Sequence, residues 1–415
     1  MIAAAPGLTL ADTADCTDAT WICTVVHDPP SVAGSNTAIA FDQGGDAWVS
    51  FRDQDAQALV VARYVGTGGN CTDPAWTCTV VDDPPAHDVG YETDIALDVN
   101  GTAWVSYQDT TTDDLKVAHS VLPGSGYGCM PAQTDWVCDA VDTTRQVGGY
   151  TAIAIEQGAP LVTYWDSGQK DLRWARPTSA SPSCDQTGWD CGIADSGPVG
   201  AFANDVAIDL SGRVWAAYRY EGNGTGPKAA KLVVATHVGS GGTGCGKGSP
   251  EWNCIAVAKT ANVGLDTGIA FDQAGNPWVH YWNTNNLNLA RAGGEGAPCG
   301  LGVTWSCTTI HDETDSVGEY GSIVFDSAGV AWIAYWGRTA RHLYVARYVG
   351  GSTGNGCGTG GSSEWTCSTL DASPNVGAFW IGIAIRPAGT WGPGGPWVSY
   401  FDQQLGALRL AVSKT

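Results

Sequence analysis

Residues 37–53 read TAIAFDQGGDAWVSFRD, and this stretch decides the fold because the chain repeats it. A second copy at residues 93–109 reads TDIALDVNGTAWVSYQD. Both halves of each copy are rich in Val, Ile, Thr and aromatic residues, which favour strands. A turn with Gly lies between them, and Gly accepts the positive φ of a tight hairpin. The stretch therefore predicts an antiparallel hairpin, whose strands we name A and B.

The A–B turn follows the template Asp-x-x-Gly-x-x-Trp. It is complete at Asp42/Gly45/Trp48, Asp98/Gly101/Trp104, Asp209/Gly212/Trp215, Asp272/Gly275/Trp278 and Asp326/Gly329/Trp332. In the first unit two further apolar runs follow, at residues 59–65 (LVVARYV) and 76–82 (WTCTVVD). We name these strands C and D, so each unit is predicted to hold four strands.

The number of units follows from the tripeptide Trp-x-Cys, which occurs once in each unit. Its cysteines are Cys23, Cys78, Cys138, Cys191, Cys254, Cys307 and Cys367. Four antiparallel strands repeated seven times predict an all-β, seven-bladed β-propeller. The chain starts with a lone strand D at residues 21–27 and ends with strands A, B and C of the last unit. We therefore expect the N-terminal strand to close the seventh blade and remove the open edge. The domain limits that follow are an N-terminal segment at 1–15 and one propeller domain at 16–415.

The pattern IALDxxGxxWVSYxD…LKVA, seen at residues 95–109 and 115–118, resembles the repeat of secreted bacterial β-propellers. The resemblance covers nearly the whole chain and implies an architecture without one named family. Propellers include lectins, lyases, hydrolases, dehydrogenases and scaffolds, so the resemblance does not choose a function.

A second cysteine precedes each Trp-x-Cys. Local pairing predicts one disulfide per blade, namely Cys16–Cys23, Cys71–Cys78, Cys129–Cys138, Cys184–Cys191, Cys245–Cys254, Cys299–Cys307 and Cys357–Cys367. The alternative is zinc, but a tetrahedral site needs four ligands and each loop offers two sulfurs. The cysteine content predicts a secreted or cell-surface protein in an oxidising compartment.

The formal net charge of −22 makes nucleic acid and anionic membranes poor partners. No apolar stretch is long enough to predict insertion into a membrane. We expect no cofactor, with calcium as an alternative at the acidic ends of strand D, such as Asp82-Asp83 and His311-Asp312.

Strand B ends in an aromatic residue and a polar tip, and the D–A loop carries Val-Gly and often an aromatic residue. Both are expected on one face, where rings could stack on sugars and carboxylates could accept from hydroxyls. The candidate ligand residues are Trp165, Asp166, Trp282, Asn283, Trp336, Asp109, Tyr91, Tyr150, Tyr320 and Trp380; Phe202 belongs to the same pattern. The alternative is structural: the first aromatic packs between blades, and the Asp caps the B–C turn.

Three functions stay open. The first is an extracellular binding module for glycan or another extracellular ligand, with multivalent carbohydrate recognition at the loop tips. The second is a structural or adhesive scaffold that self-associates. The third is a polysaccharide lyase or hydrolase with one axial site near the divergent fourth blade. That site would use Tyr220 and Glu221 with residues expected around the axis, namely Glu92, Asp266, His280 and Glu319. A buried core role is the alternative for His280. No catalytic residue is assigned.

Overall fold

The computed structural model describes residues 14–130, 133–144, 146–179, 183–184, 188–200, 204–222, 230–246, 249–259, 263–283, 285–293, 297–299, 304–313, 316–351, 353–388 and 394–414. These residues form seven antiparallel sheets, with strand A of each blade next to strand A of its neighbours in a closed circle. The all-β, seven-bladed prediction is confirmed. Among the described residues no helix could cross a bilayer.

The strands follow the order A, B, C, D in every blade. Blade 1 holds β3 (Ala33–Phe41), β4 (Ala47–Asp53), β5 (Ala58–Tyr64) and β6 (Trp76–Asp82). Blade 2 holds β7 (Val89–Leu97), β8 (Ala103–Asp109), β9 (Asp114–Ser120) and β10 (Trp136–Asp142). Blade 3 holds β11 (Gly149–Glu156), β12 (Ala159–Asp166), β13 (Asp171–Pro177) and β14 (Trp189–Asp195). Blade 4 holds β15 (Asp205–Ile208), β16 (Val214–Tyr220), β17 (Lys231–His237) and β18 (Trp252–Ala258).

The remaining blades carry small additions. Blade 5 holds β19 (Leu265–Phe271), β20 (Pro277–Trp282), β21 (Leu287–Ala292) and β23 (Trp305–Asp312), with β22 (Ala297–Pro298) and β27 (Cys357–Gly358) paired to β23. Blade 6 holds β24 (Val317–Phe325), β25 (Ala331–Gly337), β26 (His342–Tyr348) and β28 (Trp365–Asp371). Blade 7 holds β29 (Gly382–Arg386), β30 (Gly395–Asp402), β31 (Ala407–Ser413) and β2 (Trp21–His27), and β1 (Ala14–Asp15) lies beyond β2.

The N-terminal strand closes the ring as predicted. Strand β2 pairs with β31 in a register that sets Trp21 opposite Ser413. Strand β1 then pairs with β2, with Ala14 opposite Cys23. Closure pairs the two ends of the chain and leaves no open gap between the first and last blades.

The seven predicted disulfides all form, each within one blade. The described part of the chain has no free cysteine. Each bridge closes a loop of seven to ten residues, as the separation of 7 at Cys71–Cys78 and of 10 at Cys357–Cys367 shows. These bridges indicate an oxidising compartment.

The Asp-x-x-Gly-x-x-Trp template is a self-contained turn. Asp209 accepts the backbone N–H of Ser211 at 2.8 Å and the indole N–H of Trp215 at 2.9 Å. Gly212 adopts φ of +81°, which a residue with a side chain disfavours. Hydrogen bonds to the ionised carboxylate hold the pKa of Asp209 well below its usual value, against the opposing effect of burial. The Asp and Gly of the template therefore stabilise the A–B turn itself.

The first aromatic residue of each strand B tip packs between blades, as the structural alternative predicted. Tyr107 is fully buried and its hydroxyl donates to Asp82, in strand D of the previous blade, at 2.7 Å. Lys116 also pairs with Asp82. At the other site considered for calcium, His311 Nδ1 lies 2.6 Å from the hydroxyl of Tyr335. Asp82 and His311 are thus engaged in polar contacts with neighbouring strands.

Candidate functional site

Strand A begins with a bulge in blades 1, 2, 3, 5 and 6, where the register against strand B shifts. In blade 2 the register between β7 and β8 shifts between Tyr91 and Asp94, so Glu92 and Thr93 have no partner opposite them. Glu92 adopts a left-handed backbone with φ of 50°. A β-bulge commonly redirects a side chain next to a functional site. A strained backbone conformation persists where the surrounding structure holds it in place.

The same left-handed position recurs around the axis, and we call its members the mouth ring. They are Asn36, Glu92, Tyr150, Asp266, Tyr320 and Trp380, with φ between 43° and 69°. In blade 4, residues 201–203 lie outside the described part of the chain.

The Val-Gly dipeptide of the D–A loop explains how this strain is held. Gly148 has φ of +83°, and a Cβ there would lie 2.6 Å from the carbonyl oxygen of Asp114 in blade 2. The loop therefore sits against the neighbouring blade as only glycine allows. The next residue but one, Tyr150, is thereby fixed in the mouth ring.

Hydrogen bonds join the mouth ring between blades. The carboxylate of Glu92 accepts the backbone N–H of Tyr150, and the side-chain amide of Asn204 donates to the carbonyl of Tyr150. Asp266 likewise accepts from the backbone N–H of Tyr320. Each of these two acids thus belongs to one blade and holds the loop of the next, which places both carboxylates rigidly.

Below the mouth ring lies an axial cavity of about 140 Å³. Strand A of all seven blades contributes to its wall, which places it on the propeller axis. The lining includes Thr37, Ala38, Ile39, Glu92, Thr93, Asp94, Thr151, Ala152, Asn204, Asp205, Asp266, Thr267, Tyr320, Gly321, Ser322, Trp380, Ile381, Gly382 and Ile383. No Arg, Lys or His lines it in the part of the chain that the structure describes.

The four carboxyl groups of this wall hold protons more tightly than usual. Burial raises the pKa of Glu92 to about 7 and that of Asp94 to about 6. Burial, and then the negative charge of Asp94, raise the pKa of Asp205 to about 7. Burial, and then the charge of Glu319, raise the pKa of Asp266 to about 7. Near neutral pH these groups can both donate and accept protons.

Asp94 and Asp205 also tie strands together. Asp94 accepts the N–H of Ile153 in the next blade at 2.8 Å, and Asp205 accepts the N–H of Ile269 at 2.8 Å. Glu92 and Asp266 sit closer to the mouth, because they belong to the mouth ring. We therefore regard Asp94 and Asp205 as wall residues that set the local charge.

Aromatic side chains from three blades meet at the mouth. The ring of Trp380 lies 5.1 Å from that of Tyr320 and 5.8 Å from that of Tyr150, measured between centroids. The rings are tilted by 44° and 47° and so face one another obliquely. The charges of Glu92 and Asp266 both contribute to the raised pKa of Tyr150, after burial. The phenol of Tyr150 therefore lies within the field of both mouth carboxylates.

Two of the three predicted tryptophans pack against the aromatic side chains at the mouth. Trp165 lies 6.0 Å from Tyr150 and donates its indole N–H to the carbonyl of Val199 at 3.1 Å. Trp336 lies 5.8 Å from Tyr320. Trp282 is buried, and the guanidinium of Arg338 lies 5.0 Å above its ring.

The predicted polar residues at the ends of strand B accept hydrogen bonds within their own B–C turns. Asp166 accepts the backbone N–H of Gln169 at 2.8 Å, and Asn283 accepts that of Asn286 at 3.1 Å. Asp109 accepts the N–H of Thr111 at 3.0 Å. Tyr91 precedes the mouth position by one residue, and its ring lies 4.0 Å from the guanidinium of Arg52. The structure therefore joins Tyr150, Tyr320 and Trp380 in one place and leaves these four elsewhere.

The residues considered for an enzyme separate in the same way. Glu92 and Asp266 reach the cavity, whereas Glu319 is buried and paired with Arg338 at 2.6 Å. Glu221 lies 3.8 Å from Lys170, outside the lining of the cavity. Tyr220 does not line the cavity either. Phe202 and residues 223–229 lie outside the described residues.

His280 is a core residue beside the cavity wall. It is fully buried in β20, and burial lowers its pKa to about 4. A Cβ at Gly268 would lie 2.2 Å from its Nε2, and a Cβ at Gly321 would lie 3.0 Å from its Cε1. Two glycines thus provide the space for an imidazole that is neutral near pH 7.

Sequence reasoning missed Asp94, Asp205 and Asn204. A signal was available, since the second residue after Val-Gly marks the mouth ring in blades 2, 3, 5 and 6. Counting from this dipeptide assigns Glu92, and not Tyr91, to the mouth ring, and Asp94 follows two residues later. In the described residues the single group of potential metal ligands is His27, Cys71 and Cys78, and its two cysteines form a disulfide.

Comparisons with known proteins agree with this architecture. No protein-family model matches the chain, and no curated protein matches it. Among solved structures, a polysaccharide lyase described as PL25 ulvan lyase bound to -[GlcA(1-4)Rha3S]- has a TM-score of 0.54 at 10% identity, covering 94% of this chain and 96% of that one. The likeness is one of fold.

Two further structures are similar at lower scores. A GH93 α-L-arabinofuranosidase of Fusarium graminearum has a TM-score of 0.46 at 11% identity, covering 79% of this chain and 94% of that one. A protein of unknown function from Dyadobacter fermentans DSM 18053 has a TM-score of 0.46 at 10% identity, covering 94% of this chain and 96% of that one.

Proposed function

We propose that this protein recognises carbohydrate at a single axial site. The observation that carries the proposal is the combination of tilted aromatic rings and hydrogen-bonding carboxylates at the mouth of one cavity. Sugar rings need both, because their C–H faces stack on aromatic side chains and their hydroxyls bond to polar groups. That the ulvan lyase with this fold is described in complex with a saccharide is consistent with the proposal.

The axial site differs from multivalent recognition at the loop tips. Asp166, Asn283 and Asp109 already accept turn N–H groups, so they offer fewer free acceptors to a ligand. Seven weak sites on a ring would bind several ligands per chain, whereas one cavity binds a single sugar terminus or branch. The cavity of about 140 Å³ is smaller than the ~300–1,000 Å³ of a drug-sized site, so it admits one ring or substituent.

Cleavage of the bound saccharide is the second candidate function. The mouth carboxyls of Glu92 and Asp266 have pKa values raised to about 7, and groups of this kind can serve as general acid and general base. Hydrolysis fits the wall better than elimination from a uronic acid, because the wall carboxylates repel an anionic sugar once ionised.

The test is a screen of the oxidised protein on glycans and polysaccharides, with and without calcium, followed by calorimetry on any hit. We expect one ligand per chain and binding that Trp380→Ala abolishes. Tyr127→Ala is the control, because Tyr127 is 66% exposed and does not line the cavity, and it should bind as the unmodified protein does.

Other outcomes assign other functions. Several ligands per chain, with stepwise loss on changing Trp165, Trp282 and Trp336, would establish multivalent recognition at the rim instead. A blank screen with a folded, oxidised chain would reject the sugar site, and concentration-dependent assembly in sedimentation would then favour the self-associating scaffold. Release of reducing ends that Asp266→Asn removes would establish hydrolysis.

A further inference from the structure

The wall of the axial cavity has an unbalanced charge. Glu92, Asp94, Asp205 and Asp266 all line it, and no basic side chain lines it among the described residues. Burial of a carboxylate without a positive partner is costly, and such groups retain a proton instead. A cation bound in the cavity would instead favour the ionised carboxylates, and the described wall supplies no such charge itself.

The basic groups next to this wall are already committed. Arg338 forms two short contacts with Glu319, at 2.6 and 2.9 Å, and its guanidinium lies over Trp282. His280 lies behind Gly268 and Gly321 and is neutral near pH 7 because burial lowers its pKa to about 4. Neither group neutralises Glu92, which faces the backbone N–H of Tyr150.

The aromatic rings at the mouth distinguish the kind of cation. Tyr320 and Trp380 line the cavity, and Tyr150 packs on Trp380 at 5.8 Å. Faces of Trp and Tyr attract organic ammonium groups by cation–π interaction, and an aromatic box above carboxylates is the usual site for them. A bare metal ion needs several oxygen ligands around one point. The wall carboxyls do not form such a group, since the one close group of potential metal ligands among the described residues is His27, Cys71 and Cys78.

We propose that the axial cavity receives the ammonium group of an amino sugar whose amine is free. The ammonium would lie between the rings of Tyr320 and Trp380 and the carboxylates of Glu92 and Asp266, and the sugar ring would stack at the mouth. This inference rests on the proposed function for its sugar part. It differs from the uronate and sulfated rhamnose units bound in the ulvan lyase, which are anionic.

Proton release provides an independent signature. Ammonium binding favours the ionised carboxylates, so protons held by Glu92, Asp266, Asp94 and Asp205 leave on binding. Tetramethylammonium keeps its charge at every pH, so any pH dependence of its binding reports the protein. Its affinity should rise about tenfold between roughly pH 5 and pH 8, as the wall carboxyls ionise.

The experiment is calorimetric titration of the full oxidised chain with four probes. These are a glucosamine tetramer, the N-acetylglucosamine tetramer of the same length, a galacturonate tetramer and tetramethylammonium chloride. We expect the glucosamine tetramer to bind at least about tenfold more tightly than its acetylated counterpart, since acetylation removes the charge. Heats in two buffers of different ionisation enthalpy measure the protons released.

Matched variants locate the site. Glu92→Gln and Asp266→Asn should each weaken glucosamine binding by about tenfold or more, and Trp380→Phe should retain more binding than Trp380→Ala. Glu251→Gln, which removes the same charge from a position outside the cavity lining, should change binding less than about twofold. Circular dichroism of every variant establishes that the fold is retained.

The outcomes separate the two proposals. Equal or tighter binding of the acetylated tetramer at one site overturns the ammonium inference and leaves the sugar site standing. Binding of tetramethylammonium without any saccharide supports an ammonium site and overturns the sugar function. Calcium binding that the acid variants abolish, with no ammonium binding, shows a metal site and overturns the inference. No binding of any probe overturns both.

Discussion

The phenol of Tyr164 donates to the carboxylate of Asp142 at 2.6 Å, across the interface between blades 3 and 2. Arg173 reaches the same carboxylate oxygen at 3.1 Å. Tyr218 with Asp195 and Tyr400 with Asp371 repeat this contact at 2.6 and 2.8 Å. The same buried tyrosine–aspartate contact thus joins strand B of blades 3, 4 and 7 to strand D of the preceding blade.

Removing this hydroxyl should weaken the propeller. We predict that Tyr164→Phe lowers the free energy of unfolding by about 1–3 kcal/mol, because Asp142 loses a buried hydrogen-bond donor. Urea denaturation followed by Trp fluorescence measures it. Tyr127→Phe is the control, since Tyr127 is 66% exposed, and it should change stability by less than about 0.5 kcal/mol. Equal stability of the two variants would contradict the prediction.

The carboxyl groups of the cavity wall should make stability fall as pH rises. Asp205 has a folded pKa of about 7 against an ordinary 3.8, so the folded state binds its proton more tightly than the unfolded state. Its contribution is complete below about pH 4 and is lost toward pH 7, at up to about 1.4 kcal/mol per pH unit. Asp205→Asn should therefore become more stable relative to the unmodified chain as pH rises.

Asp209 provides the opposite control, four residues away in the A–B turn. Hydrogen bonds hold its pKa below the ordinary value of 3.8, so its stabilisation is present above that value and is lost in acid. Asp209→Asn should thus be most destabilised at neutral pH and approach the unmodified chain as pH falls. Denaturation of both variants at three pH values tests the pair, and parallel pH profiles would refute the assignment of the raised pKa.

A double substitution should expose the packing of His280. Gly268→Ala places a Cβ 2.2 Å from the imidazole Nε2, so we predict a loss of about 1–3 kcal/mol from overpacking. Adding His280→Ala removes the obstacle, so Gly268→Ala should cost much less in that background. A double-mutant cycle from urea midpoints measures the coupling. Additive effects would show that the two residues do not compete for space.

The disulfides should stabilise chiefly by limiting the unfolded chain. Changing Cys184 and Cys191 together to Ser should lower the free energy of unfolding by about 2–3 kcal/mol, the value for so short a loop. The pair Cys16 and Cys23 closes a loop of the same separation, 7 residues, in the blade that joins the chain ends. We expect a larger loss there, because β2 must also stay in the ring. Thermal unfolding of both double variants compares them, and equal losses would show that closure does not depend on the bridge.

Part of the candidate site was also predictable. Tyr150, Tyr320 and Trp380 were candidates from their loop, and Glu92 and Asp266 were expected near the axis. Tyr91 entered the same pattern although it lies one residue before the mouth position. The bulge decides between them, because two unpaired residues on strand A interrupt the alternation on which sequence reasoning depends.

The sequence by itself determined the number of blades, the four strands of each, the closure by β2 and all seven disulfides. These features depend on local periodicity and on cysteines close together in the chain, and every repeat carries the same local pattern. Only the tertiary structure decided which side chains face the axis. Tyr150 of blade 3 meets Trp380 of blade 7 because closing the ring brings opposite blades together at their inner edges. No short-range sequence pattern encodes the distance between Tyr150 and Trp380. The charge of the cavity also depends on ring closure, because its carboxyl groups come from different blades.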